Sequence, residues 1–108
     1  MRIYALKTCD TCKKAQKALA AAGHDFDVID VRADGVSRAD LERFQEAFGH
    51  ALVNTRSTTW RGLSETERAR DPIALLLEHP TLMKRPVIEA DTLYLGWGKD
   101  VQAKLGVG

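Results

Sequence analysis

No stretch of this 108-residue chain is both long and apolar enough to cross a bilayer, which takes roughly 20 residues. An excess of one charge sign is missing too. Lys and Arg total 16 against 15 Asp and Glu, a formal net charge of +1. The molecule as a whole therefore has no electrostatic pull on nucleic acid or anionic membrane, and direct binding to either is not expected. The opening Met1-Arg2-Ile3-Tyr4-Ala5-Leu6-Lys7 has neither the longer apolar stretch nor the small-residue cleavage site of a secretory signal. Cytoplasmic residence is the expectation. Internal repeats and low-complexity tracts are lacking, although Ala18 to Ala22 is alanine-rich. Only two cysteines occur, and in a reducing compartment they point to catalysis, redox sensing or metal binding rather than to a structural staple.

What is present is a soluble balance, 44% hydrophobic and 29% charged, enough for one modest core in one domain spanning residues 1–108. Ile3 to Leu6 reads as a short buried strand, and Thr8-Cys9-Asp10-Thr11 offers helix-start residues. Cys12 to Ala22 is strongly helical in composition, with Ala15, Ala18, Leu19 and Ala22 on one face and Gly23 as terminator. Phe26 to Val31 resumes strand character, Phe26, Val28 and Asp30 facing one way and Asp27, Ile29 and Val31 the other. Such a βαβ unit predicts a parallel strand pair joined by a right-handed crossover.

Downstream, Asp34-Gly35 is a turn, and Ser37 to Asp40 resembles a capping box with Asp in place of Glu. Leu41, Phe44 and Phe48 form the stripe of a second helix ending at Gly49. Asn54 to Gly62 reads as a loop. Ser64 to Glu67 is another capping box; Asp71-Pro72 opens a helix whose buried stripe is Ile73, Leu76 and Leu77, and His79-Pro80 stops it. Pro86 to Glu89 and Thr92 to Leu95 suit a hairpin around Ala90-Asp91, with Val101 and Leu105 anchoring a last short helix. The order β-α-β, helices, then β-β-α predicts an α/β, thioredoxin-type layout with a mixed sheet and a helical insertion between its halves, with no linker that would divide it.

Cys9-Asp10-Thr11-Cys12 carries the chemistry. Residues three apart are neighbours on a helix, so the two thiols can face each other and cycle through a disulfide. A helix N-terminus favours negative charge on sulfur, and Lys7, Lys13 and Lys14 lie close in sequence. Zinc is the rival: His24 follows Cys12 at near-finger spacing, but Val28, Ile29 and Asp30 stand where a second histidine belongs, and there is no second Cys-X-X-Cys. Redox chemistry is the leading reading, ahead of a metal site or inert packing. His24, His50 and His79 read as surface or loop residues, and no metal site is assigned.

Three ordered segments carry a resemblance across nearly the whole chain. Ile3 to Ala15 is similar to the N-terminus of the ArsC/Spx superfamily, Asn54-Thr55-Arg56-Ser57-Thr58-Thr59-Trp60-Arg61 resembles the loop of its YffB-like branch, and His79 to Val87 resembles the segment that closes the active site. The resemblance implies a thioredoxin-like fold with an all-helical insertion at about residues 32 to 81. It implies that Cys9 is the reactive thiol, Pro86 a cis-proline against it, and Arg56 and Arg85 the basic residues facing it. Arginine suits the last role because its planar fork stays charged and matches oxyanions and carboxylates.

The resemblance further implies a thiol-disulfide reductase, with Cys12 or glutathione resolving a mixed disulfide on Cys9 and Arg56, Arg85 and Lys13 holding a substrate carboxylate or oxyanion. Glutathione is the expected co-substrate, and no bound cofactor is expected. Two alternatives stay open. Spx-like regulators carry a Cys-X-X-Cys here and bind the C-terminal domain of the RNA polymerase α subunit. Arsenate reductases of the superfamily, coupled to glutathione and glutaredoxin, use three arginines, and the position of the third corresponds to Gly96 here, with Lys99 nearby. A monomer is expected, since no unmatched apolar stripe is left over.

Overall fold

In the computed structural model, which describes residues 1–107, the first strand starts one residue earlier than its apolar run. β1 (Arg2–Ala5) leads through a turn, in which the Cys9 N–H donates to the Leu6 carbonyl at 3.0 Å, into α1 (Asp10–Ala21). The helix begins before Cys12 because Cys9 itself is the N-cap, in extended conformation at φ −85° and ψ 111°. Cys12, Ala15 and Leu19 form its buried stripe, at the i, i+3, i+7 spacing that one helix face requires. β2 (Asp27–Asp30) follows, shorter than the Phe26–Val31 run. It is an edge strand, and Val28 lies 47% exposed on it, whereas Val31 just beyond is fully buried.

The chain from Val31 to Lys84 forms a compact unit by itself, and Met1–Asp30 forms another with the chain from Arg85 onward. In the 31–84 unit, α2 (Arg38–Phe48) is capped by Ser37, whose hydroxyl accepts the Asp40 N–H at 3.1 Å. The Asp40 carboxylate, one methylene shorter than the usual Glu, bonds Arg43 at 2.8 Å. Leu41 and Phe44 are buried on this helix, and Phe48 only half so. The expected loop over Asn54–Gly62 is not all loop. It holds α3 (Thr58–Arg61), started by Ser57, whose hydroxyl accepts the Trp60 N–H at 3.1 Å. A one-turn helix has too few residues for a periodic stripe, so only its cap was there to read.

α4 (Glu65–Arg68) is capped the same way by Ser64, at 3.2 Å from the Glu67 N–H. α5 (Pro72–Glu78) has Pro72 in its first turn, but Asp71 makes no side-chain cap bond. Its buried face is Ile73, Leu75 and Leu76, and the expected Leu77 is 42% exposed. At about 100° per residue, Ile73, Leu76 and Leu75 bound one arc, which leaves Leu77 roughly 40° past Ile73 on the open side. The C-terminal end of the unit is tied to its middle by backbone bonds from Asn54 N–H to the Leu82 carbonyl at 2.8 Å and from Lys84 N–H to the Leu52 carbonyl at 2.7 Å.

The other unit resumes at Arg85, whose peptide bond to Pro86 is cis. β3 (Val87–Glu89) and β4 (Leu93–Leu95) make a hairpin with three residues between them, closed by the Ala90 N–H to the Thr92 carbonyl at 2.9 Å. Sheet order is β2-β1-β3-β4. β1 runs parallel to β2, with Ile3 opposite Val28, and antiparallel to β3, with Ile3 opposite Ile88. β3 and β4 are antiparallel, with Ile88 opposite Tyr94. The sheet is thus mixed and the fold α/β. As an inner strand β1 buries Ile3, Tyr4 and Ala5 in succession. α6 (Lys99–Lys104) closes the chain, and Leu105 joins Ile3, Ala5, Cys12, Leu19, Ile88 and Tyr94 in the core. Among the described residues no helix is long and apolar enough to cross a membrane.

Candidate redox site at the start of the first helix

The site is assembled by the β1–α1 junction. An extended N-cap residue turns its side chain back over the first helical N–H groups, which have no partner inside the helix. Here that side chain is the Cys9 thiol, and its sulfur accepts the Cys12 N–H at 3.3 Å. Cys9 remains half-buried and reachable from solvent. Cys12 does not: on the α1 stripe it has no exposed surface and packs with Leu19, Ile88 and Tyr94. Both thiols are free.

Burial also dictates the charge state of Cys12. An apolar setting penalises a thiolate, and the nearby Cys9 thiol adds a hydrogen bond and a charge that favour the protonated form. The Cys12 thiol is pushed up to about 12, although the Arg85 guanidinium pulls the other way. That electrostatic link places Arg85 in the surroundings of the cysteine pair, on the residue that precedes the buried Pro86. The Pro86 carbonyl accepts the Gly96 N–H at 2.8 Å.

Of the residues singled out from sequence, Cys9, Cys12, Lys13, Arg85 and Pro86 belong to one unit. Lys13 is exposed on α1, and its N–H bonds the Cys9 carbonyl at 3.1 Å. Arg56 belongs to the 31–84 unit, exposed, its N–H donating to the Asn54 side-chain carbonyl at 3.1 Å. Gly96 has φ +80°, in the left-handed region where an arginine would be strained. Lys99, at the start of α6, lines a hollow with Gln102, Ala103, Gly106 and Val107, a set without cysteine. His24 lies in the loop after α1, partly buried, with Nε2 2.8 Å from the Leu105 carbonyl oxygen. Among the described residues no group of three or more His, Cys, Asp or Glu side chains is placed to hold a metal ion.

Two contributors were missed from sequence. The Leu6 carbonyl fixes the Cys9 N–H, and the Gly96 N–H anchors Pro86; both are backbone groups, for which sequence carries no side-chain signal.

Comparison with known proteins follows the same lines. The family model described as the ArsC family matches residues 4–105. An uncharacterized protein of Haemophilus influenzae is 42% identical over 94 residues, covering 82% of each chain. A solved structure described as the YFFB protein superposes with a TM-score of 0.88 at 33% identity, covering 96% of both chains. An arsenate reductase (ArsC) related protein from Brucella melitensis gives a TM-score of 0.73 at 35% identity, covering 95% of this chain and 90% of that one.

Proposed function

Since the chain belongs to the ArsC family, we propose that it is a cytoplasmic thiol-disulfide reductase that uses Cys9 as nucleophile and glutathione as thiol partner. The observation that supports this reading best is the inequality of the two cysteines. Cys9 is reachable at a helix cap with an N–H on its sulfur, while Cys12 is buried and held as a neutral thiol.

In the proposed reaction the Cys9 thiolate attacks the glutathione sulfur of a substrate–glutathione mixed disulfide. The S–S bond breaks, a Cys9 mixed disulfide forms, and the other sulfur leaves as a thiolate that takes a proton from solvent. A glutathione thiolate then attacks the outer sulfur of the mixed disulfide. Cys9 departs as thiolate, and the new glutathione disulfide carries the oxidising equivalents away. Cys12 is the alternative resolver, but burial disfavours its thiolate. The resolving step is therefore assigned to the external thiol. Arg85 and Lys13 are assigned to the carboxylates of glutathione or of the substrate. Arsenate is not assigned as substrate, because Gly96 supplies no third guanidinium.

Trapping tests the reading. Cys9→Ser should abolish the mixed disulfide with glutathione, and Cys12→Ser should leave it intact or let it accumulate. The reverse pattern would overturn the assignment of nucleophile. Oxidant-dependent binding to the C-terminal domain of RNA polymerase α, with no disulfide turnover, would replace the reductase by a regulator. Glutathione- and glutaredoxin-dependent arsenate turnover would restore arsenate as a substrate.

A further inference from the structure

The 31–84 unit contains a hollow of about 450 Å³, with a wall of Val53, Trp60, Pro72 and Leu75. Two arginines share its lining, Arg68 and Arg70. Arg68 is fixed rather than flexible. Its Nε donates to the Trp60 carbonyl at 3.2 Å, one Nη donates to the Arg61 carbonyl at 3.1 Å, and the guanidinium carbon lies 5.7 Å from the Trp60 ring centroid. Carbonyl dipoles and an aromatic face hold the cation in place without neutralising it, and no carboxylate among the described residues pairs with it. Arg70 is partly offset by Glu78, at 2.6 Å, which lies outside the lining.

Charge is segregated around this hollow. The 31–84 segment holds as many carboxylates as cationic side chains, yet none of the carboxylates lines it. A second hollow of about 590 Å³ shares His50, Val53 and Thr55 with the first and adds Arg56 and Lys84, again with no acid. An apolar wall beside a preset guanidinium, in a hollow of the size small ligands fill, suits one kind of occupant. It must bury apolar surface against the half-buried Trp60 and Pro72 and bring one negative charge to Arg68.

We propose that this hollow is a binding site for a small organic carboxylate with an aromatic or branched apolar body. All the residues that line it belong to the 31–84 unit.

Trp60 is itself the reporter. The chain has two tryptophans, so Trp97→Phe leaves Trp60 as the only one. In that background 3-phenylpropionate should shift Trp60 emission saturably, whereas its neutral amide should bind roughly tenfold or more weakly, the scale of one lost charge-assisted hydrogen bond. Arg68→Gln should produce a similar loss. Because Arg68 also braces α3, a second variant guards the result: Ala69 is exposed and lines the hollow, so Ala69→Phe fills the space without touching the core. It should abolish the shift while the circular dichroism spectrum stays unchanged. Equal binding of acid and amide, a shift that survives Ala69→Phe, or no saturable shift by millimolar acid would each overturn the proposal.

Discussion

Raising the pH should destabilise this protein through one buried thiol, and the size of the effect follows from its position. Cys12 has an ordinary value of 9.0 and is pushed up to about 12 by burial on α1 and by the neighbouring Cys9 thiol. Between those values the unfolded chain releases the Cys12 proton and the folded chain keeps it. The unfolded state then binds fewer protons, so stability falls as pH rises, by about 1.4 kcal/mol per unit above pH 9. Below pH 9 the thiol is neutral in both states and contributes no slope. The measurement is the urea midpoint from pH 7 to 10.5 under a phosphine reductant, for the wild type and for Cys12→Ala. The other ionisable groups are the same in both proteins, so the difference between the two curves reports Cys12 together with its coupling to Cys9. That difference should be flat to pH 9 and then shrink by roughly 2 kcal/mol by pH 10.5. Alkylation gives a second reading: at pH 8 folded Cys12 should react with iodoacetamide about a thousandfold more slowly than the unfolded thiol. Parallel stability curves, together with alkylation within tenfold of the unfolded rate, would refute the account of Cys12 as a neutral core residue.

Further outcomes follow from the helical unit. Leu76→Ala should cost about 2–5 kcal/mol in chemical unfolding because Leu76 is 2% exposed, while Leu77→Ser should stay within about 0.5 kcal/mol. Ser57→Ala removes the only side-chain cap of the four-residue α3 and should cost about 0.5–2 kcal/mol, with loss of amide-exchange protection confined first to Thr58–Arg61.

Local physics was legible wherever the chain signals through its neighbours in sequence. Cys9 and Cys12 sit three apart beside helix-start residues, and that spacing put both thiols at the head of α1 before any tertiary contact was known. Ser37 and Ser64 announced their helices in the same way. α3 was missed because one turn has no periodicity. The α5 stripe had Ile73 and Leu76 right but Leu77 in place of Leu75, because apolar type alone does not distinguish the two in Ile73-Ala74-Leu75-Leu76-Leu77. Only the direction of packing does that. Likewise the exposure of Val28 follows from β2 lying at a sheet edge, and strand order is not encoded within the strand.

The cysteine pair shows the same division. Sequence by itself determined that two thiols meet at a helix N-terminus, since helical geometry links residues three apart wherever the helix lies. Only the tertiary structure decided that they are unequal, because α1 turns Cys12 inward onto Ile88 and Tyr94 and leaves Cys9 at the rim. Ionisation of a thiol depends on the water and charge around it, and these are set by segments distant in the chain: β3 and β4 supply the apolar wall, and Arg85 the opposing charge. The placing of Arg68 over Trp60, eight residues away and held by carbonyls of α3, is likewise a product of the folded chain, and no sequence spacing announces it.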